Sequence, residues 1–249
     1  MNHFAVLMQF LRDRDIFLEN IKQGKKISKI TFSLLVSSSF FFAIYGAIMG
    51  SFQGGLQILA SAIKLPALYL LTLIICLPTL YFYEVVSGSK RTFPQYLAIL
   101  LASMSIISVM LFGFAPVTLF FRLSINDYRF FTLLNVFFLT ITGLIGIRFL
   151  YDAMLSLATP NFQVKSDVFE DKEEAESHFS EEMNLHQQRT FVIRAWLILY
   201  AFVGSQLGWT LRPFFGAPSE PFALFRNLES NFYFHMFELV ISMFGLGVR

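Results

Sequence analysis

Long apolar stretches separated by short polar segments are the dominant pattern of this chain. Five of these stretches run for at least about 20 residues with hardly any charge, which is the length a helix needs to cross a hydrocarbon core of about 30 Å. The pattern therefore predicts five transmembrane helices. Their approximate ranges are 30–50, 65–86, 96–121, 130–155 and 190–211.

The polar segments between and around the apolar stretches divide the rest of the chain. Apolar residues recur at helical spacing over residues 3–23, among arginines and lysines, which is typical of a helix in the headgroup plane. The predicted segments are an amphipathic cytoplasmic helix (1–29), four transmembrane helices (30–158), an acidic cytoplasmic helix (159–189), the fifth transmembrane helix (190–211) and a loop with interfacial helices (212–249). A sixth span within 222–247 is the alternative for the last segment.

Composition agrees with a membrane-embedded chain. Hydrophobic residues make up 55% of the sequence and charged residues 14%, whereas soluble domains carry about 25% charged residues. We therefore expect an all-α polytopic integral membrane protein in a lipid bilayer. A net charge of +2 is too small for a nucleic-acid-binding protein, so no nucleic-acid partner is expected.

Lysine and arginine placement predicts the orientation, because cytoplasmic loops are enriched in both residues. With five spans and a cytoplasmic N-terminus, 13 of the 19 lysines and arginines lie on the inner side. We therefore expect the N-terminus and the acidic helix to face the cytoplasm.

Small residues recur every four positions in two of the predicted spans. Gly46 and Gly50 form such a row in the first, and Gly204 and Gly208 form another in the fifth. Small residues allow helix backbones to approach closely in a membrane. These rows predict either packing within the chain or a face for a homodimer.

Few polar groups lie inside the predicted spans, and no acidic residue lies near a midplane. Asn135, Thr140, Thr142 and Gln206 are the deepest, and we interpret them as helix-to-helix hydrogen-bonding groups. His178 and His186 alternate with glutamates at four-residue spacing, which we interpret as a solvated helix face. No catalytic group, cofactor or metal site is therefore expected.

The densest cluster of aromatic and basic residues follows the fifth span. A tryptophan at the end of a span is typical of a membrane interface, and the nearby arginines could bind a phosphate or a carboxylate. Anchoring in the interface is one interpretation, and contact with a partner protein or lipid is the other. The candidate residues are Trp209, Arg212, Phe214, Arg226 and Asn231.

Three segments resemble known families. The block Trp209–Phe214 resembles a motif of a bacterial multi-span family to which no activity is attached. This resemblance implies a bacterial inner (cell) membrane as the location. Gly88–Phe93, with the spans on either side, is loosely similar to the Yip-type five-span fold, although the tyrosine-glycine-proline signature of that fold is absent.

The N-terminus resembles a WASP-homology actin-binding motif, in which an amphipathic helix precedes a leucine-lysine-lysine element. Here Phe17–Gly24 leads into Ile27–Ile30, with isoleucine in place of leucine and Ser28 in place of a lysine. Ile30 already begins the first span and leaves no tether to wrap an actin subunit. We therefore expect no actin binding.

Together these observations favour a non-enzymatic membrane scaffold or accessory subunit that contacts partner proteins or lipids. A protein partner or a homo-oligomer follows from that interpretation. The alternative is a permease or channel component for a small solute, which would use helix breaks at Pro78 and Pro116 and the polar residues of the later spans.

Overall fold

Helices account for almost all of the chain that the computed structural model describes. It describes residues 3–24, 26–86, 89, 91–125, 127–158, 172–216, 221–225, 233–234 and 241, and for 157–158 and 172–189 the backbone alone. Its helices are α1 (His3–Arg12), α2 (Arg14–Lys22), α3 (Ile27–Gly50), α4 (Leu56–Val86), α5 (Phe93–Ser124), α6 (Tyr128–Ala158) and α7 (Lys172–Thr210). No strand occurs in these residues.

Five helices, α3 to α7, are long and apolar enough to cross a membrane. The prediction of an all-α polytopic membrane protein with five spans is therefore confirmed, and its environment is a lipid bilayer. Two boundaries differ from prediction. Helix α4 begins at Leu56 rather than near residue 65, and α7 joins the acidic segment and the fifth span in one unbroken helix.

Helix α5 is the centre of the bundle, and α7 lies at its edge. Helix α5 packs against α3, α4 and α6, while α3 also packs along α4, and α7 contacts α4 and α6. Of the membrane-spanning window of α5, 67% is buried, against 22% for α7. Most of the α7 surface therefore faces away from the bundle.

Glycines set the close approach of α3 and α4. A Cβ on Gly46 would lie 2.9 Å from the carbonyl carbon of Ser61, and a Cβ on Gly50 would lie 2.9 Å from that of Gln57. The glycine row of α3 therefore packs within the chain, which is the first of the two alternatives given for it. The pairing of 46 with 61 and 50 with 57 also makes α3 and α4 an antiparallel hairpin.

The predicted N-terminal amphipathic helix is wrong in one respect: the chain forms two helices that meet at Asp13, where φ is −130° and ψ is 73°. In a straight helix, residues seven apart are about 10 Å apart along the axis. The break instead brings the rings of Phe10 and Phe17 to a centroid distance of 4.5 Å. Both rings are buried against the bundle together with Leu7 and Ile21, and that burial favours the bend.

Hydrogen bonds tie α2 to the start of α5. The Gln95 side-chain amide donates to the carbonyl oxygens of Ile21 and Lys22 at 2.9 and 3.2 Å, and its oxygen accepts from the Thr92 N–H at 2.8 Å. These bonds fix α1 and α2 at one end of the bundle, which we call the proximal end. The distal end carries the α3–α4 turn, the α5–α6 turn and the end of α7.

Prolines lie inside two of the spans without ending them. Helix α4 continues through Pro66 and Pro78, and α5 continues through Pro116. The helix breaks expected at Pro78 and Pro116 are therefore absent. Pro78 and Pro116 each lack one donor of the helical ladder, a loss that a membrane helix tolerates where neighbouring helices satisfy the freed carbonyl.

Candidate functional site

The chain after α7 folds back into the distal end of the bundle. We call Leu211–Gly216 the distal loop. The guanidinium carbon of Arg212 lies 3.8 Å from the ring centroid of Trp209, Pro213 and Phe214 are buried, and the Arg212–Pro213 peptide bond is cis. Three of the predicted site residues, Trp209, Arg212 and Phe214, therefore lie together at this end.

Beneath the distal loop, α4 presents a buried row of polar side chains. Gln57, Ser61 and Lys64 follow at helical spacing and are 1%, 0% and 5% exposed. Gln57 Nε2 donates to the Pro213 carbonyl oxygen at 2.9 Å, and Ser61 Oγ donates to that of Phe214. The row therefore holds the backbone of the distal loop against the helix.

Lys64 adds a third donor to this row and reaches a second segment. Its Nζ donates to the Pro213 oxygen at 3.2 Å and to the Leu224 oxygen, and it lies 5.0 Å from the ring centroid of Phe225. No carboxylate among the described residues pairs with it. Carbonyl oxygens and an aromatic face therefore solvate this side chain.

Buried loop carbonyls explain why α4 carries such donors. Non-helical backbone at membrane depth is tolerated only where protein or water satisfies it, and an unsatisfied buried carbonyl costs about 1–3 kcal/mol. Lys64 lies eight residues inside α4, which is about 12 Å from its first residue. We therefore interpret the three side chains as a clamp on the distal loop, and we call them the α4 clamp.

A third cationic side chain, that of Arg122, lies at the distal end. Arg122, near the end of α5, donates from Nη2 to the carbonyl oxygens of Ser51 and Phe52 at 3.4 Å each. Its guanidinium lies 4.7 Å from the ring centroid of Phe52, and its buried Nε has no hydrogen-bond partner. Arg122 therefore joins α5 to the α3–α4 turn.

Deeper in the bundle, polar side chains bond to one another. The Tyr45 hydroxyl donates to Asn135 Oδ1 at 2.9 Å and lies 3.3 Å from Thr118 Oγ1, and all three residues are 0% exposed. This network links α3, α5 and α6. Ser103 Oγ also crosses between helices, because it donates to the Gly146 carbonyl oxygen at 2.7 Å.

The expectation of helix-to-helix hydrogen bonds therefore holds for some of the predicted polar groups only. Asn135 bonds across helices, whereas Thr140 and Thr142 donate to carbonyls of their own helix. Arg226 and Asn231, the other two predicted site residues, lie outside the residues that the structure describes. So do the side chains of His178 and His186.

Sequence reasoning missed the α4 clamp. It took Lys64 for a loop residue before the second span, because a hydropathy pattern places a charge outside the apolar run. The available signal was the spacing: Gln57, Ser61 and Lys64 are polar at positions i, i+4 and i+7, which share one helix face. A polar stripe at the start of an apolar helix indicates a buried partner.

At the distal end, the α4 clamp binds backbone carbonyls. In the part of the chain that the structure describes, no three His, Cys, Asp or Glu side chains come together as metal ligands would. No protein family, curated protein or solved structure matches this chain.

Proposed function

We propose that this chain is a non-enzymatic accessory or scaffold subunit that binds a partner membrane protein along α7. The observation that carries the proposal is the form of this helix. It runs without a break from Lys172 to Thr210, and its span is the least buried of the five. A span with so much free surface suits contact with another transmembrane helix.

The part of α7 outside its span extends this surface. We call residues 172–189 the acidic arm, which is about 27 Å long at 1.5 Å per residue. It carries five glutamates against Lys172 and Arg189. Anionic lipid headgroups repel such a segment, so the arm stands away from the membrane surface and suits a basic surface on the partner.

The α4 clamp, at the distal end of α7, also supports partner binding along this helix. The α4 clamp holds Pro213 and Phe214, which lie three and four residues after the end of α7 at Thr210. The end of an otherwise peripheral helix is thereby fixed to α4. Helix α7 is therefore held at its distal end and carries the acidic arm at its other end. A movement of the bundle would move the acidic arm and the partner protein bound to it.

The proposal also includes the type of membrane and the orientation of the chain in it. The excess of lysine and arginine on one side supports a cytoplasmic N-terminus and a cytoplasmic acidic arm. The resemblance of the Trp209–Phe214 block to a bacterial multi-span family favours a bacterial inner membrane. The buried α2 residues Phe17 and Ile21 face the bundle, which agrees with the absence of actin among the proposed partners.

Site-specific photo-cross-linking in native membranes tests the proposal. The cross-linker replaces Ile198, which is 72% exposed on α7, or Ile74, which is 62% exposed on α4 and is the matched control. We expect a discrete adduct with one partner protein from position 198 only. Replacing the five glutamates of the acidic arm by glutamine is expected to remove that adduct.

Four results would contradict all or part of it. Equal adducts at both positions would indicate random collisions, and an adduct with a second copy alone would assign α7 to self-association. Rapid solute flux in proteoliposomes of the purified chain, lost in Asn135→Ala, would favour the permease alternative. If the adduct still forms after the five glutamates are replaced, the acidic arm is not part of the binding surface.

A further inference from the structure

A cleft of about 230 Å³ opens at the proximal end between α1, α2 and the first turn of α3. Ile16, Phe17 and Ile30 form its apolar wall, and Asn20, Lys26 and Lys29 contribute polar groups. One water needs only about 10–15 Å³ of such space. The cleft is therefore large enough for a small polar group with a few attached carbons.

The backbone at Lys26 brings the two lysines to this cleft. Lys26 has φ +54°, the one positive φ at a non-glycine residue in the described part of the chain. A left-handed conformation at such a residue is uncommon and costs free energy. The Lys26 carbonyl accepts from the N–H groups of Lys29 and Ile30 at 3.1 Å each, so this conformation also starts α3.

The polar side of the cleft carries two lysines and one carboxylate. Asp13 also lines it, but its carboxylate lies 4.0 Å from Arg12 Nε. The first turn of α3 contains no acidic residue and receives no side-chain cap. The partial positive charge of a helix N-terminus therefore adds to the charges of Lys26 and Lys29.

The position of the cleft narrows the choice of ligand. It lies at the first turn of the first membrane span, where phospholipid headgroups meet protein. Ile16 in its wall is 59% exposed, so an apolar surface borders the lysines. We propose that the cleft binds an anionic phospholipid, whose phosphate contacts Lys26 and Lys29 and whose glycerol and first methylenes contact Ile16, Phe17 and Ile30.

Native mass spectrometry of the full chain in a non-ionic detergent tests this lipid site independently of any partner protein. The probes are short-chain phosphatidylglycerol, short-chain phosphatidylcholine and inorganic phosphate. We expect one phosphatidylglycerol to bind more tightly than either of the other probes. Phosphatidylcholine binding as tightly would overturn the role of net charge, and phosphate binding as tightly would replace the lipid by a free anion.

Matched variants separate the cleft from general surface charge. Lys26→Gly keeps the left-handed backbone accessible while removing the charge. Combined with Lys29→Gln, it is expected to weaken phosphatidylglycerol binding about tenfold or more. The matched pair of single variants is Lys29→Gln and Lys22→Gln, each of which removes one charge. Lys22 is an exposed α2 residue that does not line the cleft, and its replacement is expected to change binding less than about twofold. Equal losses in the two cases would refute a defined site.

A second variant tests the apolar wall. Ile16→Ser is expected to weaken binding of phosphatidylglycerol and to leave the weak binding of inorganic phosphate unchanged. Because Ile16 is exposed, this change does not disturb the core. Unchanged lipid affinity in Ile16→Ser would contradict the proposed placement of the lipid.

Discussion

Replacing Gly46 by alanine tests the packing of α3 on α4, which the rest of the bundle depends on. The added Cβ would lie 2.9 Å from the Ser61 carbonyl carbon and 3.1 Å from Ala62 Cα, whereas ordinary contact begins at 3.4 Å. Both neighbours are backbone atoms and cannot rotate away. The two helices must therefore separate locally by at least about 0.5 Å, a gap that already weakens dispersion contacts across an interface.

The free-energy cost follows from that separation. A gap of about 0.5–1 Å removes about a quarter to a half of a contact worth about 0.1–0.2 kcal/mol, so the weakening of about two dozen such contacts would cost about 1 kcal/mol. Measured overpacking costs are about 1–3 kcal/mol. Gly143→Ala is the matched control, because its Cβ would meet nothing within 4 Å and the gain in helix propensity is common to both changes.

Cys76 supplies the assay for both variants. It is the one cysteine of the chain and is 2% exposed, so a thiol-reactive fluorophore reports unfolding in detergent. We expect Gly46→Ala to melt below Gly143→Ala by about 2–4 °C for each kcal/mol of difference. A Gly46→Ala protein that melts at or above the control would refute the argument from close packing.

Three further changes test two polar contacts and the backbone conformation of the distal loop. Tyr45→Phe removes the donor to Asn135 Oδ1 and is expected to destabilise the chain by about 0.6–1.7 kcal/mol, measured with the same thiol assay; no change would mean that the bond contributes nothing. Lys64→Met leaves the Leu224 carbonyl without its donor, so we expect faster amide hydrogen exchange in residues 211–225, and unaltered exchange would contradict the clamp. Gly216→Ala forces alanine to φ +67°, which costs about 1–2 kcal/mol. Limited proteolysis of the distal loop should accelerate, and equal cleavage rates would argue against this strain.

Much of the fold could be predicted from hydropathy and glycine spacing. Five apolar runs gave five spans because only helices satisfy their own backbone in lipid. The four-residue spacing of Gly46 and Gly50 indicated a close helix contact, although the partner helix α4 was visible only in the structure.

The incorrect predictions have a common physical cause. A hydropathy scale measures the free energy of moving a side chain from water to lipid, and it contains no information on the groups that the side chain contacts in the fold. Lys64 was placed outside the membrane because its partners, the loop carbonyls of residues 213 and 224, are more than 140 residues away in sequence. The break at Asp13 was missed because it is stabilised by the contact of Phe10 with Phe17. Of the predicted site, Trp209, Arg212 and Phe214 do lie together, since they follow one another along the chain.

The unbroken course of α7 has a mechanical consequence. A helix tilts when the thickness of the surrounding bilayer changes, and residues 172–189 must tilt with the span because no break separates them. Over a length of about 27 Å, a change of about 10° displaces the tip sideways by about 5 Å. A change in bilayer thickness would therefore shift the position of the tip of α7 outside the membrane.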